Sequence, residues 1–174
     1  MSEAPETGSR RRALGLLASI APVAWLGACG FKLKQPASLA YGTLMLRGFA
    51  PRSAVGELLR ARIAETGSTR VVESAPEAQL VLEALVDRSE KVVVATSTAG
   101  QVRELQLRQR FRFRVLSAVG RQLIEPTEIL LLRDMSYREG LALPKEDEEA
   151  LLYRAMQNDI ADQVVRRLAA LRAG

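Results

Sequence analysis

From Leu105 to Val115 the chain alternates: Leu105, Leu107, Phe111, Phe113 and Val115 hold odd positions, while Arg108, Arg110, Arg112 and Arg114 hold even ones. A helix cannot sort such a series onto two faces, because its side chains recur about every 3.6 residues rather than every two. The pattern predicts a strand with one buried and one wet face, same-face neighbours lying roughly 6.6 Å apart. Four guanidinium groups then line one side of one strand. Only Gln109 interrupts the apolar series. A row of like charges repels itself unless carboxylates or an external anion lie opposite. Glu83, Asp87 and Glu90 before it, or Glu128 and Asp134 after it, could serve. Two readings follow: a solvated face paired across strands, or an anion-binding surface that uses the planar fork of guanidinium for phosphate or acidic sugar.

The rest of the chain supplies partners for this strand. Phe31 to Pro36 and Thr43 to Arg47 read as extended, Gly48 and Pro51 closing the second. Ser53 is an N-cap for a helix whose Val55, Leu58, Leu59 and Ile63 share a face, and Thr66-Gly67 stops it. Thr69 to Val72 is a short strand, Ala75-Pro76 a break, and Gln79 to Val94 a long extended run. Ser117 to Arg121 forms a hairpin turn into a strand through Ile129, Leu130, Leu131 and Leu132 towards Tyr137, and four apolar residues in a row predict cover on both faces there. From Pro144 the period becomes helical: Leu152, Met156, Ile160, Val164 and Leu168 recur every four residues, with Leu151, Ala155 and Leu171 widening the stripe. Glu146 to Glu149 stand where carboxylates favour a helix start, and Arg166, Arg167 and Arg172 where cations favour its end. The expected fold class is α+β: a two-layer sandwich, a mostly antiparallel sheet of about four strands with two helices packed on one face. The uncovered face would carry the arginines.

The first residues are of another kind. Arg10, Arg11 and Arg12 precede an uncharged run from Ala13 to Ala28, shorter than the roughly 20 apolar residues of a spanning helix and interrupted by Pro22. Leu26-Gly27-Ala28-Cys29 ends it with the chain's only cysteine. Small residues before a cysteine suit a lipoprotein signal, in which the thiol is acylated and cleavage makes Cys29 the mature N-terminus. The expected organisation is a cleaved signal over residues 1–28 and a single domain over residues 29–174, which needs several acyl chains for a durable anchor. Gly30 rather than aspartate after the cysteine points, by analogy with enterobacteria, to the outer membrane. A single acylated cysteine leaves no internal disulfide, so stability comes from packing.

Composition narrows the function. The formal net charge of +5 suits anionic partners; nucleic acid is excluded by an envelope location, and phosphorylated glycolipid fits. There is no histidine, which removes the commonest transition-metal ligand and the usual neutral-pH acid-base group. No serine sits in a Gly-x-Ser-x-Gly elbow. The acidic run at residues 146–149 points around a helix axis and does not form an oxygen cage for calcium. No metal and no cofactor beyond the covalent lipid is expected, and binding is favoured over catalysis. The rivals are a free-standing envelope lipoprotein binding another anionic glycan or polymer, and a small anchored paired-carboxylate hydrolase.

Several segments together resemble the lipopolysaccharide-assembly lipoproteins called LptE. Cys29-Gly30-Phe31-Lys32-Leu33 is similar to the family's mature start. Gly100-Gln101, Glu104, Phe111 to Val115 and Gly120 resemble its centre. The strongest likeness is Tyr137, Leu141 to Glu146 and Glu148-Glu149, followed by Met156, Asp159 and Arg166-Arg167-Leu168. The resemblance implies a non-enzymatic lipoprotein on the periplasmic side of the outer membrane, plugging the lumen of the β-barrel LptD and assisting lipopolysaccharide delivery. It also implies lipopolysaccharide contacts through one basic residue before the second long strand and one at the start of the last helix. Lys145 matches the latter. At the former the chain has Thr98-Ala99-Gly100, with Arg103 and Lys91 as the candidate substitutes.

Overall fold

The computed structural model describes residues 38–137 and 142–172; the expected extended segment at Phe31 to Pro36 and the whole signal region lie outside them. The elements run β1 (Thr43–Arg47), α1 (Ala54–Glu65), β2 (Arg70–Val72), β3 (Leu80–Thr96), β4 (Val102–Ser117), β5 (Gln122–Ser136) and α2 (Ala142–Ala169). They form a five-stranded sheet in the order β2-β1-β3-β4-β5.

The sheet is antiparallel across β3, β4 and β5, whereas β1 runs parallel to both neighbours. One strand more is present than the expected four. A parallel neighbour needs a crossover, and α1 supplies it between β1 and β2. The chain then passes the start of β1 in a single 3₁₀ turn, Ala75–Glu77, to reach its other side. Side chains satisfy the backbone there: Thr43 Oγ1 donates to Glu77 O at 2.8 Å, Gln79 N donates to Thr43 Oγ1 at 3.1 Å, and Gly42 N donates to Gln79 Oε1 at 2.7 Å. Pro126 sits in β5, an edge strand, where a missing amide donor costs least.

The odd side of β4 faces both helices. Leu107, Phe111, Phe113 and Val115 are fully buried, and Phe111 stacks between Phe49 and Phe113 with centroids 5.9 and 5.5 Å apart. Leu44, Leu59, Ile63, Leu82, Ile160, Val164 and Leu168 complete the core. Met156 is fully buried on the same helical stripe. Leu151, read as widening that stripe, is 61% exposed, because it precedes the buried row by one helical position. A clasp joins the helices: Arg62 Nε donates to Asp162 Oδ1 and Arg62 Nη2 to Asn158 Oδ1, both at 3.1 Å.

Gln109 is buried to 1% and fully engaged. Ser89 Oγ donates to Gln109 Oε1 at 2.5 Å, Gln109 Nε2 donates to Asp87 Oδ1 at 3.2 Å, and Ser53 Oγ donates to Asp87 Oδ2 at 2.6 Å. Ser53 also caps α1, accepting from Gly56 N at 3.0 Å. The break in the apolar alternation is therefore the point at which the sheet holds the start of α1.

Candidate functional site

A bulge in β3 decides which charged residues share a face. Up to Ala84 the even residues Leu80, Leu82 and Ala84 are buried; the register then slips between Ala84 and Val86. An extra residue moves each following side chain to the opposite face. Asp87, Ser89, Lys91 and Val93 consequently lie across from Phe111, Gln109, Leu107 and Leu105, on the helix side. Asp87 is thus no counter-ion for the arginine row, contrary to the sequence expectation, and Lys91 is on the face opposite to it.

The other face has no helix on it among the described residues, and it carries the arginines. Arg114 Nε donates to Glu83 Oε2 at 2.5 Å, and Arg47 Nη2 lies 3.0 Å from Glu83 Oε1. Glu83 is held below the usual carboxylate range, chiefly by the Arg114 hydrogen bond, with partial burial opposing and Arg47 adding to it. Arg110 meets Glu128 only at 3.9 Å, and its cross-strand neighbour on β3 is another cation, Arg88. Arg108 donates to Gln106 Oε1 at 2.9 Å, and Gln106 in turn donates to Asp134. Arg112, opposite Glu128 in register, is exposed and has no carboxylate within ion-pair distance among the described residues.

Apolar groups sit among these cations. Leu130 and Leu132 are opposite Arg110 and Arg108, and each is 42% exposed. The apolar run in β5 was expected to be covered on both faces. In the described residues only Ile129 on the helix side is buried, because both helices lie on one side of the sheet. The pair-row of arginine and leucine is an amphipathic surface that would suit a partner with both anionic and apolar groups.

Lys145, Lys91 and Arg103 gather towards the end of the sheet where β3 turns into β4. Lys145 Nζ donates to Glu148 Oε2 at 2.5 Å and to Ser136 Oγ at 3.4 Å. Lys91 Nζ donates to Glu149 Oε2 at 2.7 Å. Arg103 is exposed, and its carbonyl accepts from Tyr137 N at 2.8 Å, next to the Glu104–Ser136 pair of the β4–β5 ladder. Lys91 is level with Leu107, four residues or about 13 Å along β4 from Arg103. Lys91 thus lies on the helix side, across the sheet from the arginine row, whereas Lys145 reaches Ser136, the register partner of the even residue Glu104. The acidic run was expected at the helix start, but α2 begins at Ala142 with no acidic residue in its first turn, and Glu148 and Glu149 pair instead with Lys145 and Lys91. Tyr153, whose hydroxyl donates to Glu90 O at 2.7 Å, has its pKa raised by burial first and then by Glu149 and Glu90.

The sequence pattern of the family described as "LptE: Lipopolysaccharide-assembly" matches residues 41–168, from just before β1 to the end of α2. The chain belongs to the LptE family. Its structure is similar to that of an uncharacterized lipoprotein B from Nitrosomonas europaea (29% identity, 81% of this chain and 91% of that one, TM-score 0.68). The same fold occurs in the rare lipoprotein B of Shewanella oneidensis (24% identity, 74% and 95% covered, TM-score 0.63) and in a minor lipoprotein of Acinetobacter baumannii (21% identity, 76% and 93% covered, TM-score 0.62). No curated protein matches the chain significantly. Membership of LptE assigns the protein to lipopolysaccharide assembly and, as a lipoprotein family, to a membrane. Among the described residues no helix is long and apolar enough to cross one.

Proposed function

We propose that this LptE protein is anchored through lipid on Cys29 to the periplasmic side of the outer membrane, plugs and supports an LptD β-barrel, and binds lipopolysaccharide without catalysing a reaction. The observation that supports the reading is the face of β3, β4 and β5 that no described helix covers, where Arg108, Arg110 and Arg112 stand beside exposed Leu130 and Leu132. A monomer in water gains nothing by exposing such a surface. Inside a polar barrel lumen, the same guanidinium groups have wall carboxylates and carbonyls to donate to.

Lys145, Lys91 and Arg103 are assigned to lipopolysaccharide. Two of the three are held by single carboxylates of α2, which a multiply phosphorylated lipid can displace because exposed ion pairs are weak. Gentle detergent extraction of a C-terminally tagged form tests the main claim. A large β-barrel should co-purify in equal amount; its reproducible absence, with the tagged protein folded and lipidated, would favour a free-standing binder of anionic polymer.

A further inference from the structure

An open groove of about 570 Å³ lies between the second half of α1 and the edge strand β2, at the end of the domain where the described chain begins. Arg60, Ala64, Gly67, Ser68 and Arg70 are among its lining residues, and among the described residues no carboxylate is. Leu39 N donates to Ser68 Oγ at 3.0 Å, so the chain enters the fold at the groove's rim. Tyr41 Oη donates to Arg172 O at 2.9 Å, which brings a third arginine, itself exposed, to this end. Arg60 has one exposed partner, Glu57, at 2.9 Å.

We propose that this groove binds the phosphate of anionic phospholipid headgroups in the membrane to which the chain is tethered. The inference rests on acylation of Cys29. The ten steps from Cys29 to Leu39 reach at most about 36 Å when fully extended, so the rim of the groove stays within that distance of the bilayer surface. A short tether gives an effective concentration in the millimolar range, which fills even a weak site. Each arginine near an anionic surface strengthens contact about fivefold, or about 25-fold for Arg60 and Arg70 together. Screening by salt acts over about 8 Å at physiological ionic strength, so contact at the headgroups survives it and longer-range attraction does not. The groove would fix which end of the domain faces the membrane, which a lipid on Cys29 does not do by itself.

The test uses the full-length lipidated protein carrying Ala64→Cys with a nitroxide label, since acylation blocks the thiol of Cys29. The protein is placed in phosphatidylcholine vesicles with or without phosphatidylglycerol, and access of a water-soluble relaxation agent to the label is measured. Anionic vesicles should shield the label, and Arg60→Gln/Arg70→Gln should restore the access seen on neutral vesicles. Equal access on both vesicle types overturns the proposal. So does shielding on neutral vesicles when only inorganic phosphate is added, which would assign the groove to free phosphate. Intact mass reports the anchor separately: if Cys29 carries no lipid, the anchor reading fails, and Cys29→Ser protein mixed with the same vesicles decides the groove by the same shielding.

Discussion

Arg114 donates from Nε to Glu83 Oε2 at 2.5 Å across the β3–β4 ladder, making Glu83 the tightest counter-ion of the arginine row. The carboxyl is held below its usual range mainly by this bond, so ionised Glu83 is favoured more in the folded than in the unfolded chain. A depressed folded pKa contributes stability that is present above the unfolded value of roughly 4.3 and is lost as pH falls through the folded value. Glu83→Gln should therefore lower stability by about 1.5 kcal/mol at neutral pH, and the gap from the unaltered protein should begin to narrow as pH falls below roughly 4.3 and close once pH is below the folded value. Chemical denaturation of both across that pH range checks it; a gap that is independent of pH would show that the pair does not act through ionisation.

Gln109 is buried and bonded at both ends of its amide. Gln109→Leu keeps the volume but takes a donor from Asp87 and an acceptor from Ser89, so it should cost about 2 kcal/mol despite making the β4 pattern perfectly apolar. A variant as stable as the original would show that the network is dispensable.

The two glycines Gly48 and Gly120 both have positive φ, 81° and 80°. A Cβ on Gly120 meets open space, whereas one on Gly48 collides with the Ala84 carbonyl at the start of the β3 bulge. Gly120→Ala should cost about 1 kcal/mol from backbone strain alone, and Gly48→Ala about 3 kcal/mol or more. Thermal denaturation of the two variants side by side reads the difference; equal losses would mean that strand β3 yields at the bulge.

Lys145→Asp should weaken lipopolysaccharide binding with the fold intact, because the residue lies near the surface and its ammonium is held by single side chains, those of Glu148 and Ser136. Glu148→Gln removes the competing carboxylate and should strengthen binding about threefold. Unchanged binding by well-folded Lys145→Asp removes Lys145 from the site.

Much of this architecture was legible in local pattern. The limits of β1, the Ser53 cap, the hairpin at residues 117–121 and the buried stripe through Met156, Ile160, Val164 and Leu168 all follow from period and turn chemistry, which act within a few residues. The parallel placement of β1 between β2 and β3 was not legible, because pairing partners are set by a crossover and not by the strand's own residues. The bulge at Ala84–Val86 was likewise hidden, since Ala84, Leu85 and Val86 are apolar in succession and fit either register. That single slip moved Asp87 and Lys91 to the helix side, away from the arginine row. The covered state expected for Leu130 and Leu132 could not be read from composition, because an apolar run reports burial without saying whether its own chain or a partner provides it.

The most direct measurement places a photo-crosslinking amino acid at position 112, on the arginine face, in living cells. The account predicts an adduct between the protein and the outer-membrane β-barrel that co-purifies with it. A folded, lipidated protein that gives no barrel adduct from this position would contradict the assignment of the uncovered sheet face to the barrel wall.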